Sequence, residues 1–284
     1  MNLETVLNWP FEDIVQSYSE RDSILYALGV GLGTDPTDRR QLRYLYEGEG
    51  FAALPTMPAV LCHPGMWTSD PRTGIVRARQ VHGEQGVVLH TRVPPKGCLR
   101  GRTRVTGVVD KGAGRGALLY TERVLHDEAT GAKVATLSST SFCRGNGGFG
   151  GPAGPVKRIH PLPERLPDRV VEWPTLPQAA LIYRLSGDRN PLHADPDYAA
   201  RAGFEKPIMH GLATFGLAGW IAMLAYCDGS PGAIASIDAR FSAPFSPGDT
   251  LVFETWRDGS EVSMRARSAA HGKTVLDNVR IGLA

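Results

Sequence analysis

The sequence predicts an α+β fold built twice over, each half a helix followed by a set of antiparallel strands. Three observations carry that expectation: an internal repeat, strand-like runs broken by turn residues in both halves, and a Gly- and Pro-rich stretch between them. At 284 residues the chain has room for two units, each of about 140 residues, an ordinary domain size. Hydrophobic residues make up 42% and charged residues 21%, so a real core is available and wholesale disorder is excluded.

The repeat is read by aligning the halves. Leu25-Tyr26-Ala27-Leu28-Gly29-Val30-Gly31 matches Ile182-Tyr183-Arg184-Leu185-Ser186-Gly187-Asp188, which sets Gly31 where Asp188 stands. Gly50-Phe51 leads into Leu54-Pro55-Thr56-Met57-Pro58-Ala59, as Gly203-Phe204 leads into Lys206-Pro207-Ile208-Met209-His210-Gly211, so Pro58 replaces His210. Strand-like runs follow at Leu99 to Val109, Ala117 to His126 and Lys133 to Phe142, and again at Leu251 to Trp256, Val262 to Ala266 and Thr274 to Ile281. Turn pairs such as Thr130-Gly131, Asp258-Gly259 and His271-Gly272 separate them, as a meander requires. The Gly/Pro-rich stretch divides the chain into a first unit, 1–150, a linker, 151–165, and a second unit, 166–284. Gly145 to Gly151 also invites a phosphate-loop reading, but no Gly-Lys-Ser/Thr follows and Pro152 opposes an immediate helix, so a connecting loop is expected.

The net charge of +2, from 31 basic and 29 acidic residues, gives no field to draw nucleic acid or an anionic membrane. Cys62, Cys98, Cys143 and Cys227 are scattered and read as reduced structural thiols, with neither a zinc knuckle nor a disulfide framework. Without a basic segment followed by an apolar one at the start, the default location is cytoplasmic. Pro207 to Cys227 is nearly uncharged, yet it contains His210 and three glycines, and a buried central helix explains it better than a membrane span.

The candidate chemistry lies in Ser186-Gly187-Asp188-Arg189-Asn190-Pro191-Leu192-His193-Ala194-Asp195-Pro196, between a helix ending near Leu185 and one starting near Pro196. Pro191 keeps Asn190 out of helical geometry, and a short turn can then face Asp188 and His193 toward one point as a general acid/base pair. Asp195-Pro196 reads as an N-cap and first helical residue. Downstream, His210-Gly211-Leu212 opens the long apolar helix, whose first amide, at Gly211, is placed to polarise a carbonyl oxygen. His210 is either a buried, hydrogen-bonded ring or a catalytic one. Metal binding by His193, Asp195 and His210 finds no recognised ligand spacing, and no nucleophile elbow marks a serine hydrolase.

These residues, with Tyr183-Arg184-Leu185 before them and Gly203-Phe204 after, resemble the type 2 enoyl-CoA hydratases of the MaoC-like group. His82-Gly83-Glu84-Gln85, Asp110-Lys111-Gly112 and Arg144 to Gly151 resemble the N-terminal half of their two-repeat, eukaryotic-type members, so the likeness spans almost the whole chain. It implies a double hot-dog fold, in which each half wraps an antiparallel sheet around a long helix. It implies reversible, cofactor-free and metal-free hydration of a trans-2-enoyl-CoA to a (3R)-3-hydroxyacyl-CoA in fatty-acid metabolism. Asp188 and His193 are then the catalytic pair, Asn190 positions them, and the Gly211 amide forms the oxyanion hole. The acyl-CoA is expected against His82, Gly83, Lys111, Arg189, Pro191, Leu192 and Phe241 as well, with the first half holding the acyl chain and a homodimer as the assembly. A hot-dog thioesterase and a non-catalytic acyl-CoA binding protein are the competing readings.

Overall fold

The computed structural model describes all residues, 1–284. Six helices are present: α1 (Leu3–Leu7), α2 (Glu20–Val30), α3 (Arg39–Leu42), α4 (Ala179–Tyr183), α5 (Pro196–Arg201) and α6 (Gly211–Cys227). Ten strands accompany them: β1 (Ile14–Tyr18), β2 (Gln80–Leu89), β3 (Gly97–Asp110), β4 (Ala117–Asp127), β5 (Lys133–Cys143), β6 (Arg169–Pro174), β7 (Ile234–Phe241), β8 (Thr250–Asp258), β9 (Glu261–Ser268) and β10 (Thr274–Leu283). All pair antiparallel in one sheet, in the order β1-β3-β4-β5-β2-β7-β10-β9-β8-β6. Reading outward from the β2–β7 seam, the second half repeats the first strand for strand. This is the double hot-dog arrangement expected from the resemblance.

The six strand-like runs in the sequence are all strands. The central pair, β2 and β7, escaped notice because Gln80–Leu89 is polar and contains two glycines, and Ile234–Phe241 has no clean alternation. Pairing on both sides, with Glu84–Val88 against Ser236–Arg240, holds them extended where local preference is weak.

α6 is apolar on every side and lies at the centre of a cluster of 46 buried residues drawn from both halves. A helix without a polar face must be enclosed all round. α2 and the 3₁₀ turn Met57–Val60 of the first half close over it, and the glycines of α6 allow their approach. A Cβ on Gly216 would stand 2.6 Å from Val30 Cγ2 and 2.9 Å from the Tyr26 hydroxyl.

The halves differ where Pro58 replaces His210. The first half has no long helix after that point, only Met57–Val60 and further short turns, because Pro55, Pro58 and Pro64 each remove a helical N–H donor. The long helix expected in both repeats therefore exists only in the second, and much of the first sheet's concave face has no helix of its own to cover it. The helix-ending glycines also refine the alignment. Gly31 (φ 115°) and Gly187 (φ 125°) both take positive φ at their helix ends, so by cap position Leu32, not Gly31, faces Asp188. The 3₁₀ winding of Arg184–Ser186 accounts for the one-residue slip.

The glycine-rich stretch is an internal loop. Its amides at Gly148, Gly150 and Gly151, together with that of Gly112, donate to the carboxylate of Asp110 at 2.7–3.3 Å. That loop therefore already cradles an anion supplied by the chain itself, and the hydrogen bonds hold the Asp110 carboxyl below its ordinary range, opposed by partial burial. Residues 144–168 carry no helix or strand and cross the outer face of the second half, tied by Lys157–Asp238 at 2.8 Å and His160 Nε2–Ser263 Oγ at 2.8 Å. No helix is long and apolar enough to cross a membrane.

Gly216→Val should destabilise the protein by about 1–3 kcal/mol through overpacking against Val30 and Tyr26. An unchanged urea midpoint for that variant would show that α6 can shift away from α2.

Candidate active site

The loop between α4 and α5 is shaped by two successive turns. Asp188 Oδ1 accepts from the Asn190 N–H at 3.1 Å, and Asn190 Oδ1 accepts from the Leu192 N–H at 3.1 Å, capping the 3₁₀ turn Pro191–His193. Asn190 is extended (φ −55°, ψ 124°), as a residue before proline must be. Asp195 caps α5 by accepting from the amides of Asp197 and Tyr198, the structural role expected of it.

These turns bring Asp188 beside His193, and the start of α6 adds His210. One carboxylate oxygen and one ring nitrogen from each histidine lie within 4.8 Å of one another. The donor set of Asp188, His193 and His210 suits an acid/base site and would also suit a divalent cation; Asp188, not Asp195, joins the two histidines that the sequence named as possible ligands. The two imidazoles stack with centroids 3.7 Å apart and planes 26° apart.

Carbonyl partners fix both tautomers. His193 Nδ1 donates to the Ile208 carbonyl at 2.8 Å, which leaves its Nε2 lone pair free to accept a proton. His210 Nε2 donates to the Asp188 carbonyl at 3.1 Å, tying the helix start to the catalytic loop, while its Nδ1 is buried without a partner. Burial, and secondarily the neighbouring His193, pushes His210 down to about 4. Burial likewise lowers His193, opposed by the Ile208 hydrogen bond and the Asp188 charge. His210 is therefore a hydrogen-bonded buried ring that also belongs to the site, so the two readings offered for it are not exclusive.

Gly211 begins α6, so its N–H has no carbonyl one turn earlier to bond, and the residue is open to solvent. A Cβ there would come within 3.1 Å of the Phe241 ring. Phe241 in turn lies 4.8 Å from His82, centroid to centroid, which joins the second half to the first across the β2–β7 seam. Gly83 is the extra residue of a bulge between His82 and Glu84 that reorients His82. Arg189 and Pro191 are exposed beside the pair, and Leu192 is half-buried.

Lys111 is not brought to this cluster. It sits in the turn after β3 with its ammonium 4.9 Å from the centre of the Phe142 ring.

His63 is a site residue that sequence reasoning missed. It and His82 are both exposed by surface area, yet protein packs around them closely enough to push each pKa to about 4, chiefly by desolvation. Both also feel the Asp188 carboxylate. Both rings therefore stand near the pair, His82 with Phe241 against it. Nothing in Cys62-His63-Pro64-Gly65 marks His63 locally, since only the return of that segment over the first sheet places it there. A separate apolar crevice, bounded by Leu28, Gly31, Met209, Ala213 and Phe245, contains no titratable group.

Comparison with known proteins agrees with this layout. Residues 158–279 match the MaoC-like domain and residues 16–145 match the MFE-2 hydratase 2 N-terminal domain. The chain is 40% identical over 276 residues to 3-hydroxyacyl-thioester dehydratase Y of Mycobacterium tuberculosis, covering 94% of this chain and 93% of that one. It is 34% identical over 290 residues to the peroxisomal enoyl-CoA hydratase 2 of Arabidopsis thaliana, covering 97% and 93%. The crystal structure of a MaoC-like dehydratase from Phytophthora capsici superposes with a TM-score of 0.88 at 33% identity, covering 100% and 99%. The cytoplasmic location expected by default is overturned, because the Arabidopsis relative and larger animal relatives are peroxisomal. An address is a short receptor-read signal that composition and fold do not encode.

The crowded histidines make stability depend on pH. His63, His82 and His210 titrate near 4 in the folded protein against 6.5 ordinarily, so the unfolded chain takes up protons first as pH falls. Their contribution is fully present above 6.5 and declines as pH drops from 6.5 to about 4. Urea midpoints measured across that window should fall steadily, and a flat profile would show these rings to be freely solvated.

Proposed function

Since the chain belongs to the MaoC-like dehydratase family, in the form that joins a MaoC-like domain to a hydratase 2 N-terminal domain, we propose that it hydrates a trans-2-enoyl-CoA reversibly to the (3R)-3-hydroxyacyl-CoA. One observation carries the mechanism: Asp188, His193 and the free Gly211 amide converge at the start of α6.

A thioester oxygen accepting from the Gly211 N–H draws electron density from the conjugated double bond, and the positive end of the helix favours the enolate that develops. A water molecule between Asp188 and His193 attacks C3 as the His193 Nε2 lone pair takes its proton, and the pair returns a proton to C2. One water O–H bond breaks while C3–O and C2–H bonds form, so the two side chains end in their starting protonation state. Asn190 acts by holding the turn. Burial disfavours the protonated form of His193 and so favours the neutral ring that a base must be.

The acyl chain extends past Phe241 and His82 into the concave side of the first half, where the long helix is missing. Arg189 and Lys111 are basic side chains available to the phosphates of CoA, Lys111 only to a part of the ligand far from the reacting carbons. No step calls for a metal or an organic cofactor.

Asp188→Asn and His193→Gln should each lower the hydration of crotonyl-CoA by about a hundredfold or more while circular dichroism stays unchanged. Turnover near that of the parent enzyme in either variant would remove the pair from the mechanism. Dialysis against a chelator should leave the parent rate unaltered; activity lost and then restored by a divalent cation would assign Asp188, His193 and His210 to a metal instead.

A further inference from the structure

Strand register arranges the concave face of the first half in rows. Thr103, Arg123, Leu137 and Val87 stand side by side across β3, β4, β5 and β2, and Val105, Thr121, Ser139 and Gln85 form the next row. An interior face of this kind is ordinarily apolar, and it is so on both flanks. Leu125 on one side belongs to the main core, and Leu119 on the other belongs to a separate five-residue cluster. Between them lies a polar saddle with a cation in it.

Arg123 is only 8% exposed. Its guanidinium makes a single hydrogen bond, from Nη2 to the Ala59 carbonyl at 2.8 Å; Nε is buried with no partner, and no carboxylate of the protein pairs with it. Burying a charge without a counter-ion is costly, and the one carbonyl hydrogen bond offsets only part of that cost. Burial lowers the group to about 10, so it remains a cation at neutral pH. His63 and His82 each feel both the Arg123 and the Asp188 charges, so the guanidinium and the carboxylate both lie near those two rings.

We infer that Arg123 determines specificity, by pairing in the first half with a carboxylate at the far end of the acyl chain while the double bond lies between Asp188, His193 and the Gly211 amide. The inference rests on the hydratase reading above. A carboxylate carried by the substrate supplies the acceptors that Nε and Nη1 lack, in a site dry enough for a charge-assisted pair to be strong. A plain alkyl chain of the same length instead presses hydrocarbon against an unpaired cation.

The test compares ω-carboxyl trans-2-enoyl-CoA thioesters of increasing length with unsubstituted thioesters of equal length, reading the ratio of kcat/KM within each enzyme form. Ratios cancel any general loss of activity. The parent enzyme should prefer the carboxylate by about tenfold or more at one matched length. Arg123→Met should abolish or reverse that preference, and Arg123→Lys should keep part of it. The inference is overturned if no length shows the preference, or if either Arg123→Met or, should that variant not fold, Arg123→Lys leaves the ratio unaltered. Crotonyl-CoA hydrated without any preference among the longer substrates sinks this inference alone. Crotonyl-CoA left unhydrated by the parent enzyme sinks the hydratase reading and this inference with it.

Discussion

A single long helix has to serve two curved half-sheets, and most features of the molecule follow from that constraint. Because α6 is enclosed by both halves, it can have no polar face, and its glycines must admit α2 and the Met57–Val60 turn of the other half. Its N-terminus emerges near the β2–β7 seam, with Gly211 against Phe241 and Phe241 against His82. The same helix end that is unsatisfied in hydrogen bonding therefore lies where the loop of the second half and the strands of the first meet.

The site depends on how this helix end is tied to the loop before it. His210 precedes the first helical residue and donates to the carbonyl of Asp188, while His193 donates to the carbonyl of Ile208, two residues before His210. These crossed bonds set the stacked rings and leave His193 Nε2 as the available base. Burial first, and the His193 ring 3.7 Å away second, disfavour a charge on His210, against the pull of its hydrogen bond to Asp188.

The first half shows the complementary outcome. Proline at 55, 58 and 64 withholds a second long helix, and the concave face it would have covered carries Thr103, Thr121, Arg123, Ser139 and Gln85 in place of a continuous apolar layer. Two sheets of the same strand order thus have different interiors, one with its own long helix and one without. The motif Asp110-Lys111-Gly112 and the glycines that follow β5 serve the architecture of this half, since Asp110 draws the loop amides onto itself.

Local chemistry made much of this legible in advance. The six meander strands, the turn at Asp188-Arg189-Asn190-Pro191 and the apolar run from Gly211 are short-range signals, and each appears in the fold where its residues indicated, while the repeat holds in strand order with a one-residue slip at Gly31. The sequence by itself determined that the second half bears a tightly turned loop with Asp188 and His193, followed by an open helix amide, because proline, aspartate and glycine act on their own backbone within a few residues. Only the tertiary structure decided that His63 and His82 come near both Arg123 and Asp188. Strand register and the path of an irregular segment bring them together from four separate stretches of chain, and neither is encoded in the neighbourhood of any one of them.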